Sequence, residues 1–458
     1  MAAPWALICF ARSATVLPVN IVQITPGAGG MYCGNCSRDN ALVGALRKLG
    51  HPTLMVPLYL PMTLDEPDNS AGTPAFFNGV NVYLQQKLAL FRKAPRWLHQ
   101  ALASPGLLKW AARRAGKTRA ADLGEITLSV LRGEEGNQAR ELDELIAWLK
   151  LQPKPDVICL SNALLIGLVR RMKSELRVPV ICMLQGEDTF LDALPQTHRQ
   201  ACWTTIAQRA AEVDLFIAPS TYFGGLMGKR LGLPAQKVRV VLNGINLEGY
   251  SRPPGAEFRQ AKAVHPVLGF FARMCPEKGL DLLVHAYVLL RKRNRVGQLR
   301  LRVGGGCGPS DQPFVDSQAQ KLKAAGVLGE VEFCPNLSRT AKLDFFRSLT
   351  VMSTPALYGE AFGLYVIEAM AAGVPVVQPR HAAFPELIEA TGGGVLCEPT
   401  AEGLANSIEQ LLQDPIALGS FGDAGRKAVF QEFSVDRMAG KVARLCEEVC
   451  AGKTRDSN

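Results

Sequence analysis

Nowhere does this 458-residue chain stay apolar for the roughly 18–20 residues that a membrane-spanning helix needs. The apolar patch at residues 5–10 lacks a basic start, and Arg12 follows it directly. It reads as a weak leader or an extended tail rather than a signal peptide. The twelve cysteines lack clustering, Cys33 and Cys36 apart, so there is no disulfide framework of the kind small secreted domains use. A reducing cytoplasm is the simpler setting. Cys33-Gly34-Asn35-Cys36 has no second pair at metal-ligand spacing, which excludes a zinc site of that type. The pair is then either a redox couple or, as two thiols near a loop more often are, inert. Acidic residues are in deficit, 41 against 51 basic ones, and the resulting charge of +10 favours an anionic partner. Nucleic acid, a nucleotide diphosphate and an anionic lipid surface all qualify, but no nucleic-acid-binding motif is present. No short-period repeat is present either. What remains, 48% hydrophobic and 20% charged residues, is ordinary globular composition, and the length suits two or three domains.

Strand-like apolar runs alternate with helix-like stretches along most of the chain. Residues 19–25 read as a strand, 26–34 as a glycine-rich loop, 38–49 as a helix and 52–58 as a second strand, with further strands at 156–160, 178–184 and 215–218. After the polar, Pro253-Pro254-Gly255-bearing stretch at 250–262 the pattern restarts, with strands at 267–272, 299–304, 331–334, 350–354, 374–378 and 394–397. Such alternation means parallel sheets covered on both faces. The expected organisation is an extension at 1–18, a first α/β domain at 19–250, a linker at 251–262 and a second domain at 263–430. A helix at 431–451 is expected to pack back on the first domain, and 452–458 to be a polar, disordered tail. Two such domains leave a cleft between them, where ligands commonly sit.

The most informative stretch runs from Pro355 to Val377. Its order is strand, loop, helix, glycine stop and strand, with Phe362-Gly363-Leu364 opening the helix and Gly373 ending it. Free amides at a helix start attract phosphate, and glycine lets a ligand approach the backbone. Glu360 sits on the loop before the helix and Glu368 about two turns further on roughly the same side. They are either two charges on an ordinary helix or two acceptors gripping hydroxyl-bearing parts of one ligand. A second stretch, Gly269-Phe270-Phe271-Ala272-Arg273-Met274-Cys275-Pro276-Glu277-Lys278-Gly279, follows the first strand of the second domain. It sets Arg273 and Lys278 five apart across a turn, where both would point toward one anion. A cation about 4 Å from a developing charge contributes about 1–4 kcal/mol, depending on the effective dielectric. Two such cations would replace a divalent metal.

These two stretches resemble the signature of retaining glycosyltransferases of the large family 4, or group 1, type, which includes glycogen synthase-like and lipid mannosyltransferase-like enzymes. The resemblance implies an α/β fold of the GT-B kind, two Rossmann-like doubly wound domains facing across a cleft. It implies that Glu360 contacts the donor sugar, that Glu368 contacts the ribose, and that the amides of Phe362, Gly363 and Leu364 meet the phosphates or the sugar. It also implies that no metal is needed. Three weaker matches keep the family's order: Val303-Gly304-Gly305-Gly306 as a tight turn, with Gly304 and Gly305 at the donor; Asn243-Gly244-Ile245-Asn246, with Asn246 where Asp is usual; and residues 394–399 with the helix to 412. The likeness covers about residues 19–450 and is strongest over 240–450.

The first domain is expected to bind the acceptor. Gly27-Ala28-Gly29-Gly30-Met31 follows the first strand, at the position where an α/β sheet binds ligands. It resembles the glycine loop of glycogen synthase-like transferases, so Gly29, Gly30 and Met31 are acceptor-side candidates. It fails the dinucleotide pattern because Tyr32 stands at the third glycine position, which excludes a nicotinamide enzyme. Gln185 stands where the family commonly has a histidine; its amide binds hydroxyls but transfers no proton. Glu187 and Asp188 are the candidate substitutes. Residues 76–121 hold nine basic side chains and no acidic one, interleaved with Trp97 and Trp110. They form either a docking surface for an anionic membrane or a solvated basic face. Part of the stretch, 78–83, resembles a strand of glycogen synthase-like enzymes. The expected function is transfer of a sugar from a nucleotide-diphosphate donor to a lipid, saccharide or small-molecule hydroxyl. The alternatives are a sugar-nucleotide epimerase, a phosphorylase and a non-catalytic nucleotide-sugar-binding module.

Overall fold

Strands β1 (Ile21–Thr25), β3 (Val157–Leu160), β4 (Val180–Met183) and β5 (Leu215–Ala218) are apolar at nearly every position, with no polar face to expose. Alternate residues serve opposite faces of a strand. Ile158, Leu160, Cys182, Phe216 and Ala218 pack into one apolar layer, while Val157, Cys159, Ile181, Leu215 and Ile217 pack into the other. A sheet buried on both faces must be covered by helices on both, as parallel sheets are. The computed structural model describes residues 18–27, 34–60, 62, 64–77, 120–250 and 265–456. The expected extension, the 251–262 linker, the strand-like 78–83 stretch, the basic segment and Gly29, Gly30, Met31 and Cys33 lie wholly or almost wholly outside the described residues.

The first sheet adds β2 (Thr53–Pro57) and β6 (Val238–Val240) in the all-parallel order β2-β1-β3-β4-β5-β6. The short, partly exposed edge strand β6 is the one element of this sheet that the sequence pattern does not announce. The second sheet contains β7 (Val267–Phe271), β8 (Arg300–Gly305), β9 (Val331–Pro335), β10 (Val351–Met352), β11 (Val376–Pro379) and β12 (Gly394–Cys397). Its order is β12-β11-β10-β7-β8-β9, again parallel throughout. Counted within its own domain this is 3-2-1-4-5-6 read from the far edge, the dinucleotide-fold order, in which ligands bind beyond the carboxyl ends of the strands where the order reverses. That point lies between β7 and β10. In the first sheet the reversal falls between β1 and β3.

The helices that shape the site are α1 (Gly34–Lys48), α2 (Glu187–Asp192), α3 (Thr221–Leu231), α4 (Arg339–Arg347), α5 (Leu364–Ala371), α6 (Phe384–Thr391) and α7 (Val435–Asp456). Helix α7 carries Val435, Met438, Ala439, Val442, Ala443 and Cys446 as one apolar stripe and lays it on the β1–β3–β4–β5 sheet beside α1. Its helical course runs on through Asp456, so the tail expected from 452 onward is largely helix. The chain therefore crosses between the domains twice. The crossings touch: Ile245 N donates to Phe433 O at 2.9 Å, and Val435 N donates to Ile245 O at 2.9 Å. A Cβ on Gly244 would lie 2.3 Å from Ser434 O, which explains the glycine of Asn243-Gly244-Ile245-Asn246.

The loops at the carboxyl ends of the two sheets meet. Ser220 Oγ donates to Ala361 O at 2.7 Å, and Ala361 is counted in the core of the first domain. The carboxylate of Glu386 on α6 accepts the first amides of α3, Thr221 N at 2.9 Å and Tyr222 N at 3.1 Å. Among the described residues no helix is long and apolar enough to cross a membrane, and no group of three or more His, Cys, Asp or Glu side chains is placed to hold a metal ion.

Candidate active site

Both sequence stretches that carry charge in the second domain leave the sheet at its reversal point, one after β7 and one after β10. Gly363, at φ 95° and ψ 64°, turns the chain into α5; this left-handed conformation is open to glycine and strained for other residues. Just before it, Glu360 is almost buried, and its Oε2 accepts from Lys278 Nζ at 2.6 Å and from Tyr365 Oη at 2.8 Å. Lys278 also lies 5.6 Å from the Tyr365 ring centre. Burial pushes the Glu360 carboxyl up, but the Lys278 ammonium, the Tyr365 hydroxyl and the Phe362 amide together hold it below its ordinary 4.5. Burial pulls Lys278 down, and Glu360 more than offsets it, so the ammonium is held above 10.5. The pair therefore stays ionised across neutral pH. Burial, with Glu360 adding to it, keeps Tyr365 protonated and donating.

Arg273 and Lys278 do not converge unaccompanied on one point, as the five-residue spacing suggests. Each has its own carboxylate. Asp311 takes Arg273 in a two-pronged grip, with Nη2 to Oδ1 at 2.8 Å and Nε to both oxygens at 3.1 Å. This grip raises the guanidinium pKa further and leaves Nη1 without a bond among the described residues. Asp311 is itself fixed by Gly308 N at 3.0 Å. Glu368 is likewise separate from Glu360: its Oε1 lies 2.9 Å from Lys342 Nζ on α4, and that ammonium lies 2.6 Å from Asp65 Oδ2 of the first domain.

The Phe362 amide is among the groups that lower the Glu360 carboxyl pKa. Gly304 and Gly305 fit tightly against their neighbours. A Cβ on Gly304 would lie 2.9 Å from the Phe271 and Phe345 rings, and one on Gly305 (φ 123°) only 1.8 Å from Ala272 O. Their close fit to the end of β7 fixes the backbone from which Arg273 departs: Met274 N donates to Gly306 O at 2.8 Å.

Across the interface, Gln185 is tied at both ends, its backbone amide to Glu187 Oε2 at 2.6 Å and its Oε1 to Asn243 Nδ2 at 3.4 Å. Glu187 also accepts Ala163 N at 3.0 Å. The two adjacent carboxylates therefore differ in role. Glu187 is buried and spent on bracing the β3 and β4 turns, whereas Asp188 faces the loop that carries Glu360. Asp188 is 6% exposed, its Oδ1 has no hydrogen-bond partner, and its Oδ2 would lie 3.4 Å from a Cβ on Gly359, one residue before Glu360. Tyr222 Oη would lie 3.2 Å from the same point. Burial raises the Asp188 carboxyl above 3.8, with backbone bonds and Arg230 opposing.

The sequence reading missed Tyr365, Asp311, Lys342 and Asp65. Tyr365 had a signal, since it lies in the opening turn of the helix that Glu360 precedes. Asp311 follows the glycine turn but sits 38 residues from its partner, and Asp65 sits further still from Lys342, so neither pairing has a local signature.

A family model described as Glycosyl transferases group 1 matches residues 257–428, and one described as Glycosyltransferase Family 4 matches 112–248. Among curated proteins, the D-inositol 3-phosphate glycosyltransferase of Rhodococcus opacus is 27% identical over 237 residues, covering 51% of this chain and 52% of the relative. That of Kribbella flavida is 31% identical over 202 residues, covering 42% and 47%. The chain spans about half the length of these curated relatives. Among solved structures, Anabaena Alr3699/HepE in complex with UDP and glucose superposes with a TM-score of 0.64 at 16% identity, covering 93% of this chain and 99% of that one. Sucrose-phosphate synthase from Thermosynechococcus elongatus gives 0.66 at 18% identity, covering 95% and 100%. At these identities the likeness is one of fold.

Proposed function

Because this chain belongs to the family 4, group 1 type of GT-B glycosyltransferases, we propose that it transfers a sugar from a nucleotide-diphosphate donor to an acceptor hydroxyl, with retention and without a metal ion. The observation that carries this reading is the Lys278–Glu360–Tyr365 cluster at the mouth of the β7/β10 reversal, beside the left-handed Gly363 that opens α5. The donor lies there with its diphosphate toward the amides of Gly363 and Leu364 at the start of α5. Glu360, held ionised, accepts sugar hydroxyls. Lys278 keeps two further N–H donors, and Arg273 keeps Nη1, for the diphosphate oxygens. Held by their carboxylates, both cations are fixed before the leaving group gains charge, so little reorganisation is needed at that moment.

In this reading the bond from the anomeric carbon to the diphosphate oxygen breaks. The acceptor oxygen bonds to that carbon on the same face, and its proton passes to the departing phosphate. Retention rests on the likeness of the 355–377 frame to retaining transferases. Asp188 and Gln185 contact the acceptor, and Gly29, Gly30 and Met31, which lie outside the described residues, remain acceptor-side candidates from the sequence; the unpartnered Oδ1 of Asp188 accepts one of its hydroxyls. The basic 87–119 segment docks the enzyme on the anionic cytoplasmic face of a membrane, and sedimentation with anionic but not neutral vesicles checks this.

A thermal-shift screen of nucleotide diphosphates and their sugars tests the donor site, since a ligand bound only by the folded state raises the midpoint. At least one is expected to do so in the wild type. Glu360→Ala is expected to lower donor-dependent turnover by about 10²-fold or more while leaving the fold intact. Full turnover in that variant, or no shift with any nucleotide, would sink the reading.

A further inference from the structure

Lys342 is charged, only 6% exposed, and makes contacts across the domain boundary. Its ammonium stands between two carboxylates, 2.9 Å from Glu368 Oε1 in the donor domain and 2.6 Å from Asp65 Oδ2 in the first domain. Three residues earlier on the same face of α4, Arg339 Nη1 lies 2.6 Å from Glu66 Oε1, while its Nη2 donates to Glu248 O at 2.9 Å and to Asn246 O at 3.2 Å. Helix α4 is thereby clipped at both positions by the consecutive acids Asp65 and Glu66, and also by the chain where it leaves the first domain. Among the described residues, two cations here face three carboxylates.

We propose that Lys342 and Asp65 are positioning residues for the ribose end of the donor site: Lys342 fixes the Glu368 carboxylate by one oxygen and leaves the other to a ribose hydroxyl, and Asp65 makes that arrangement depend on contact with the first domain. This rests on the reading that Glu368 meets the ribose. A carboxylate with no fixed partner turns among several rotamers, and each ribose contact then costs ordering entropy. Pinned by Lys342, Glu368 accepts a hydroxyl without that cost. Lys342 is pinned in turn by Asp65, so separating the domains removes an anionic partner of Lys342 and loosens Glu368. The second domain alone is then a poorer reader of ribose than the two domains together, although Glu368 itself belongs to it.

The test is calorimetric binding to the full chain, using whichever of UDP, GDP and ADP binds most tightly, with its 2′-deoxy and 3′-deoxy forms. In the wild type at least one deoxy form is expected to bind about tenfold or more weakly, the fold-change of one hydrogen bond to a charged group. Glu368→Gln tests the underlying reading: if it leaves the ribose preference intact, Glu368 does not meet the ribose and the inference falls with it. Where Glu368→Gln removes the preference, Lys342→Met is expected to reduce it to about twofold or less. A merely structural lysine would weaken ribose and deoxyribose forms alike and leave the ratio unchanged, which would overturn the inference while the reading of Glu368 stood. Asp65→Asn, a milder change outside the donor domain, is expected to lower the ratio by an intermediate amount, and it carries the test if Lys342→Met does not fold. An unchanged ratio in Asp65→Asn overturns the interdomain part.

Discussion

Asp188 and Glu187 are chemically near-identical neighbours that the fold uses for different ends. Glu187 receives two backbone amides, while Asp188 keeps an oxygen with no partner and lies against the donor loop. A buried carboxylate with an unmet oxygen costs stability when charged. Its folded pKa is raised above 3.8, so the folded state holds the proton more tightly than the unfolded state does. The cost therefore grows as pH rises from 3.8 through the folded pKa. Asp188→Asn is accordingly expected to raise the unfolding midpoint at pH 7, with the gain shrinking toward pH 4. Turnover is expected to fall by about 10–100-fold, the loss of one hydrogen bond to a charged acceptor, and the acid limb of the activity profile is expected to flatten. A variant that is less stable, or fully active, would show that Asp188 is a structural group. Glu360 behaves oppositely. Its pKa is depressed, so its ionised pairing supports the fold above 4.5 and is lost only as pH falls below that value.

At the level of elements, the turn from β10 into α5 concentrates what the site needs. Gly363 takes a left-handed conformation just ahead of the eight-residue helix whose first amides the proposed function assigns to the diphosphate. Gly363→Ala places a Cβ 3.3 Å from Val366 Cγ2 and 3.4 Å from the Phe384 ring, in a backbone conformation costing about 1–2 kcal/mol for a non-glycine residue. Chemical denaturation is expected to show that loss, and nucleotide binding should weaken by more than the stability change explains because the amides move. Unchanged affinity would detach the helix start from the diphosphate. The strand pattern and the order strand, loop, helix, glycine stop were legible in the sequence, because periodicity and turn residues are local properties. The pairing of Arg273 with Asp311 was not, because it joins the end of one strand to the loop after the next and depends on how Gly304 and Gly305 let β7 and β8 approach.

On the scale of the whole molecule, the last helix belongs to the first domain. Met438 and Val442 on α7 share a buried layer with Leu42, Leu46, Ile181 and Ile217, hundreds of residues away in sequence. Met438→Ala is expected to cost about 2–5 kcal/mol, as large-to-small core changes do. Hydrogen exchange should report faster opening in β1, β3 and α1 than in the second sheet, even though residue 438 follows that sheet in the chain. Protection lost first in β7–β12 would contradict this packing. The two interdomain crossings run side by side at Ile245 and Ser434 and are hydrogen-bonded to each other. The interdomain contacts of Glu386, Ser220 and Asp65 then set how closely the domains meet.

The sequence by itself determined the two parallel sheets, the glycine-bounded helix that opens the donor site, and the acidic and basic residues worth watching, since each is written in a span short enough for periodicity and turn chemistry to act. Only the tertiary structure decided which charge meets which: Lys278 with Glu360, Arg273 with Asp311, Lys342 with both Glu368 and Asp65, and Asp188 beside the loop that carries Glu360. Partners of this kind are chosen by distance and burial in three dimensions, and the chain order carries no record of either.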